Sequence, residues 1–309
     1  MPSWKFTQRG NILAAISANG PDECVSRIGV GALIVTGIMA SLAPLCQARA
    51  DESLPAGMAP PAAAQPGGGA QCQRPLVGMV SYLPATPIDV VALIAPPPAA
   101  GSALERADLA AVLEVQRAAR ASGRTVGAVA DAQISCARVA AAAGEFHDPV
   151  AAASALEFLT RSASEAAQLA RIAKSYWHRA RPYLISAKVE RLGDVAPGAD
   201  LPENPVASAS YRELRDHTSY PSGHGAFGMT CGLILARMVP ERRAELYARG
   251  SSFADSRVII GAHYPTDVAA GRLIATAAMA LMMANPCFEE DFAVAQTALR
   301  GSLGLSVAH

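Results

Sequence analysis

The chain has 309 residues, and 26 Lys and Arg balance 26 Asp and Glu. A formal charge of zero lacks the basic excess on which nucleic-acid binders depend, so no nucleic-acid partner is expected. With 51% hydrophobic and 17% charged residues, a wholly disordered chain is excluded, and the length suffices for one large core. Aromatics reach only 5% and alanine supplies much of the apolar count, which favours closely packed helices over a β-sandwich.

Residues 28–45 carry no charge, Arg27 precedes them, and Lys5 and Arg9 lie upstream. Ala48-Arg49-Ala50 has the small-x-small form of a secretory cleavage site. Residues 1–50 therefore read as a signal peptide cut near Ala50-Asp51, which makes the product periplasmic or secreted. An uncleaved anchor is the competing reading, and a lipoprotein at Cys46 fits less well because Ala43-Pro44-Leu45 lacks a small residue just before the cysteine. Cleavage leaves Cys72, Cys136, Cys231 and Cys287, an even number that permits two disulfides in an oxidising compartment. Three pairings are possible and the sequence does not choose among them. Cys231, inside the apolar run Met229–Leu235, also reads as a buried thiol.

Residues 51–80 are a flexible leader by composition, rich in Ala, Pro and Gly, and residues 81–309 form the folded domain. Residues 82–101 hold Pro84, Pro87 and Pro96-Pro97-Pro98 and are expected to be a non-helical wrap. Helical periodicity follows at 103–121, with Leu104, Leu109, Val112, Leu113 and Val115 on one stripe, at the Ala-rich 124–143, and at 150–179. Residues 190–215 read as a Pro-containing loop. Further helices are expected at 223–238, 241–250, 265–284 and 288–301. Residues 273–284 are apolar all round but too short to span a bilayer, so they predict a buried core helix and no membrane span in the mature chain. The fold class is all-α, a single-domain helical bundle.

Three clusters carry chemistry. Lys174-x6-Arg181-Pro182 spaces two cations by about two helical turns, so both are expected on one helix face, with Pro182 ending the helix. A solvated basic face that includes Arg171 and Arg179 is the bland alternative. In Tyr220-Pro221-Ser222-Gly223-His224, Ser222 suits an N-cap and Gly223 admits close approach of a ligand to the backbone. The free N–H groups of that first turn attract anions, and His224 at the rim is placed to exchange a proton. In Ser256-Arg257-x5-His263-x3-Asp267, Asp267 is four residues beyond His263 and reaches back to its ring. An acceptor on Nδ1–H leaves Nε2 as a nucleophile, and Arg257 adds a planar fork suited to phosphate oxygens. His147, His178, His217 and His309 are scattered, so no metal site is expected.

In this order the clusters resemble the signature of the type 2 phosphatidic acid phosphatase and vanadium haloperoxidase superfamily. Tyr82-Leu83-Pro84, Pro96-Pro97-Pro98, Gly101-Ser102, Pro240-Glu241-Arg242, Arg249-Gly250 and Gly261-Ala262-His263-Tyr264 are similar to the class A bacterial non-specific acid phosphatases. Thr218, where glycine is usual, and Trp177, where tyrosine is common, depart from that pattern.

The resemblance implies a helical-bundle phosphatase without cofactor. His263 attacks phosphorus, Asp267 orients it, and His224 serves as general acid and base. Lys174, Arg181, Ser222, the Gly223 N–H and Arg257 bind phosphate. It further implies small phosphomonoesters such as nucleotides and sugar phosphates as substrates, a mildly acid optimum, possible transfer to alcohols, inhibition by vanadate, and a homodimer. A vanadium haloperoxidase, a soluble lipid phosphatase and a non-catalytic phosphate binder are the competing readings.

Overall fold

The computed structural model describes residues 71–74, 81–85, 88–192 and 218–306, all within one compact unit. The expected signal peptide, most of the expected leader and most of the expected 190–215 loop lie outside the described residues. Among the described residues every regular element is helical. In chain order these are α1 (Val90–Leu93), α2 (Ala103–Ala121), α3 (Thr125–Ala130), α4 (Cys136–Ala140), α5 (Pro149–Lys174), α6 (Pro182–Ile185), α7 (Gly223–Met238), α8 (Arg243–Ile259), α9 (Pro265–Met283) and α10 (Pro286–Ser302). The all-α expectation holds.

Local chemistry sets the helix ends. Asp148 caps α5 by accepting from the Val150 and Ala151 N–H groups at 3.0 and 3.1 Å, and Pro149 stands in the first turn, where its missing N–H costs nothing. Along α5, Ala155, Leu159, Ala163, Ala166, Ala170 and Ala173 are buried at helical spacing. The small side chains let α5 lie close to α7, the central helix. Phe227, Ile234, Leu235 and Met238 of α7 are fully buried, and α7 packs chiefly against α8, then α9 and α5. Glycines allow the closest approach: a Cβ on Gly250 of α8 would stand 2.8 Å from the Gly228 carbonyl oxygen and 2.8 Å from Gly232 Cα of α7. Farther along, Tyr82, Phe158, Phe288 and Phe292 make an aromatic cluster with ring centroids 5.3–6.4 Å apart.

Several expectations change. The stripe on α2 is rotated: Leu104 is exposed, whereas Asp108, Val112, Gln116 and Ala119 are buried. Apolar periodicity alone misplaces the buried face, because this helix buries two polar residues that have long-range partners. The 124–143 stretch breaks into α3, α4 and a short 3-10 turn, and 82–101 contains the one-turn α1. α8 runs to Ile259 rather than stopping near residue 250. α9 is long and apolar enough to cross a membrane, with half its most apolar window buried; Leu273 and Met283 are exposed, so it is not buried all round. Within the expected leader, Cys72 is bonded to Cys287 and Arg74 pairs with Asp291 at 2.7 Å, so residues 71–74 are anchored to α10. The second disulfide, Cys136–Cys231, ties α4 to α7 and replaces the buried-thiol reading of Cys231.

Candidate active site

Four segments deliver the site. Lys174 is the last residue of α5, and the chain then leaves the helix, so Arg181 is extended, at φ −72° and ψ 153°. Pro182 starts α6 instead of ending α5. Lys174 and Arg181 therefore do not share a helix face, yet the turn between them brings both to one place. The Lys174 ammonium donates to the Thr218 and Ser219 carbonyls at 2.6 and 3.1 Å, which ties the end of α5 to the strand of chain entering α7.

Tyr220-Pro221 is a cis peptide, and Ser222 caps α7 by accepting from the Gly225 N–H at 3.0 Å. The Ser222 N–H donates to the Asp267 carbonyl at 2.9 Å, so the N-terminus of α7 is fastened to the first turn of α9. At Gly223 no protein atom lies within 4 Å of where a Cβ would stand, and its φ is not positive. Neither packing nor backbone conformation demands a glycine there.

The spacing from Arg257 to His263 has a local cause. At the end of α8 the Arg257 carbonyl accepts the N–H groups of both Ala262 and His263, at 3.0 and 3.2 Å. Gly261 turns the chain at φ +74°, and a side chain there would stand 2.4 Å from the Glu190 carbonyl oxygen. The fold-back returns His263 to the side of Arg257. Three residues of α9 later, Asp267 Oδ2 accepts from the Tyr264 N–H at 2.9 Å and faces His263 Nδ1 at 3.2 Å.

The carboxylate fixes the imidazole tautomer. Asp267 accepts a hydrogen bond from Nδ1–H, so Nε2 carries the lone pair, and Arg181 Nη1 stands 3.3 Å from it. Arg181 also donates to the Ala262 carbonyl at 2.7 Å. His263 and Asp267 are 2% and 0% exposed. Burial lowers the His263 basicity well below the ordinary value, and Arg181, Lys174 and Arg257 lower it further. His224 is likewise held well below its usual range, first by burial and then by Arg257. Its Nε2 lies 3.0 Å from the Ala132 carbonyl, which requires the proton on Nε2 and leaves Nδ1 for exchange. Lys174 is depressed by burial and by repulsion from Arg181 and Arg257, with Asp267 acting in the opposite sense. Charges that shift one another in this way lie close together, since the interaction weakens with distance.

All eight residues expected at the site, Lys174, Arg181, Ser222, Gly223, His224, Arg257, His263 and Asp267, thus stand in one neighbourhood. Motif reading missed three others. Ser219 donates to Asp267 Oδ2 at 2.5 Å, Arg179 pairs with Asp267 Oδ1 at 2.6 Å, and Asp108 pairs with Arg179 at 2.7 Å. Arg179, assigned to a solvated face in the bland reading, is 5% exposed. None of the three carried a local signal: Asp108 is one of six charged residues along α2, and its partner Arg179 is 71 residues away. Among the described residues no group of three or more His, Cys, Asp or Glu is arranged to hold a metal ion.

Fold and site thus define a helical protein in which a carboxylate-oriented histidine stands among three cations at a helix N-terminus. The sequence pattern of the PAP2 superfamily matches residues 155–287, from α5 to the start of α10. A non-specific acid phosphatase of Providencia stuartii is 34% identical over 212 residues, 66% of this chain and 78% of the relative. An acid phosphatase of Zymomonas mobilis is 30% identical over 217 residues, 68% and 75% of the two chains. A non-specific acid phosphatase of Salmonella typhimurium is 35% identical over 121 residues, 39% and 42%. The chain belongs to the class A bacterial non-specific acid phosphatases of the PAP2 superfamily.

Proposed function

We propose that this acid phosphatase hydrolyses small phosphomonoesters, nucleotides and sugar phosphates among them, through a phosphohistidine on His263 and without a metal. The observation that carries the reading is the His263 ring, held by Asp267 at Nδ1 with Nε2 beside Arg181. The Nε2 lone pair attacks phosphorus, and the ester P–O bond breaks with its electron pair going to the leaving oxygen. His224, protonated at Nδ1, supplies the proton that makes this oxygen an alcohol. His224 Nδ1 then takes a proton from water, the water oxygen attacks phosphorus, and the P–N bond returns its pair to Nε2.

Phosphoryl transfer spreads negative charge over the equatorial oxygens, so catalysis depends mostly on positioning and fixed positive charge. Lys174, Arg181, Arg257, the Ser222 hydroxyl and the Gly223 N–H supply both. A phosphate dianion among these groups counters the repulsion that lowers Lys174 and both histidines. His224 therefore gains its proton in the substrate complex, which places the optimum at mildly acid pH. The two disulfides support a periplasmic or extracellular site of action.

Rapid quenching with 32P-labelled substrate tests the mechanism. The parent enzyme is expected to give an acid-labile histidine adduct, His263→Ala none, and Asp267→Asn a slower one. Chelators are expected to leave the rate unchanged and vanadate to inhibit competitively. Full turnover by His263→Ala, or loss of activity to EDTA, would overturn the assignment.

A further inference from the structure

Arg179 lies outside the three motifs, yet its guanidinium is wedged between two buried carboxylates. Nη1 donates to Asp267 Oδ1 at 2.6 Å and to the Thr266 hydroxyl at 2.8 Å, and Nη2 donates to Asp108 Oδ2 at 2.7 Å. The guanidinium carbon stands 3.7 Å from the centroid of the Tyr264 ring, whose face backs it. Asp108 is fixed in turn by the Thr266 hydroxyl and by the Thr266 N–H at 3.3 Å. Asp108, Arg179 and Asp267 have side chains 4%, 4% and 0% exposed. Buried ion pairs seldom outdo apolar packing as a source of stability, so a buried triad calls for another reason.

The reason lies in how the two oxygens of Asp267 divide their partners. Oδ1 goes to Arg179. Oδ2 takes the Tyr264 N–H and the Ser219 hydroxyl and faces His263. Given His263 as the phosphoryl acceptor, as proposed, we infer that Arg179 is a positioning residue for the nucleophile: it locks Asp267 with one oxygen toward the imidazole, while Asp108 offsets the arginine charge so that Asp267 keeps its pull on Nδ1–H. Phosphorylation of Nε2 makes the ring cationic, and that charge is stabilised by Asp267 in proportion to the negative charge left on it.

Electrostatics gives this arrangement a signature that a structural prop would lack. His263 is faced by Asp267 of α9, Lys174 of α5, Arg181 before α6, Ser219 before α7, His224 of α7 and Arg257 of α8. None of these groups is itself replaced when Arg179 or Asp108 is changed. Arg179→Gln removes a positive charge from behind Asp267, so the imidazolium of His263 is favoured. Asp108→Asn removes a negative charge with little change of shape, so the imidazolium is disfavoured.

The test is single-turnover formation of the labelled His263 adduct across pH 4–8, with one substrate for all variants. The acid limb of the rate is expected to move to higher pH in Arg179→Gln and to lower pH in Asp108→Asn. Arg179→Gln is also expected to slow phosphorylation by about 10- to 100-fold, by analogy with the range for outer groups that orient metal-ligating side chains. Arg179→Lys should restore the limb but not the rate, because the charge returns without the two-way fork. If Arg179→Gln fails to fold, the isosteric Asp108→Asn decides alone: a limb moved down supports the role. A parent adduct with limbs that stay put, or that move the same way, would reduce Arg179 to packing. Absence of an adduct in the parent would be a different failure, that of the phosphohistidine itself.

Discussion

Replacing Gly271 by alanine sets helix propensity against packing at the joint that aligns the site. Gly271 lies in α9, where alanine on propensity alone would stabilise by about 1 kcal/mol. Its Cβ, however, would stand 2.3 Å from the Ser222 carbonyl oxygen and 3.0 Å from the Ala226 nitrogen. Both are backbone atoms, and that carbonyl accepts from the Ala226 N–H at 3.0 Å as the first bond of α7. A carbon and a carbonyl oxygen rest at about 3.3 Å or more, so α9 and the start of α7 must part by about 1 Å. Overpacking of this kind costs about 1–3 kcal/mol. The net result is a loss of up to about 2 kcal/mol, which at about 2–4 °C per kcal/mol is at most roughly 4–8 °C in thermal midpoint for a domain this size. Function should suffer more than folding. The shift separates Ser222, Gly223 and His224 from His263 and Asp267, and a misplacement of about 1 Å costs on the order of 100-fold in rate. Calorimetry and kcat on a small aryl phosphate read the two effects. Gly301→Ala in α10 is the control: nothing lies within 4 Å of its Cβ position, so it should gain stability and keep full activity. A Gly271→Ala enzyme as stable and active as the parent would refute the close approach of α9 and α7.

Gly223→Ala is expected to separate stability from catalysis in the other direction. With no protein atom within 4 Å of the new methyl, the thermal midpoint should hold, while KM for substrate and Ki for vanadate rise, as inhibition assays would show. Stability should also fall in acid because His224 and His263 are held well below their ordinary pKa, chiefly by burial. Above pH ~6.5 both are neutral in the folded and unfolded chain and contribute no pH dependence. Below it the unfolded chain binds protons that the folded one refuses. Each histidine therefore removes up to ~1.4 kcal/mol per pH unit until its folded pKa is reached. Thermal midpoints measured from pH 7 to 5 should decline, His263→Gln should shallow the slope, and saturating vanadate should reduce it. A flat profile in the parent would contradict the burial argument.

The placement of the site residues was legible in the sequence wherever it obeys local spacing. Ser222 as a cap and Asp267 reaching back to His263 both follow from helix geometry. Lys174 and Arg181 were paired correctly for a wrong reason, since the helix stops at Lys174 and a turn does the work. Arg179 looked like surface charge because its partners are 71 and 88 residues away, and no spacing rule spans such distances. The disulfide partners were undetermined for the same cause, with separations of 95 and 215 residues. The inward turn of Asp108 and Gln116 also escaped notice. A hydrophobic stripe marks where apolar groups gather and says nothing of a buried polar residue with a partner. Gln116 has such partners, donating to the Glu190 and Ile259 carbonyls at 2.6 and 3.0 Å.

What sets the distances among the cations is the separation of helix axes, and that is governed by glycine. Gly228 and Gly232 admit Gly250, so α7 and α8 nearly touch; Gly271 admits the Ser222 carbonyl, so α9 presses on the start of α7. The two contacts set how far Arg257 at the end of α8 and Asp267 at the start of α9 stand from the start of α7. Side chains of ordinary size at these glycines would move the helices apart and leave every residue of the proposed site present but out of register. The site is thus specified twice, once by the residues that carry charge and protons, and once by residues without side chains that determine how far apart they stand.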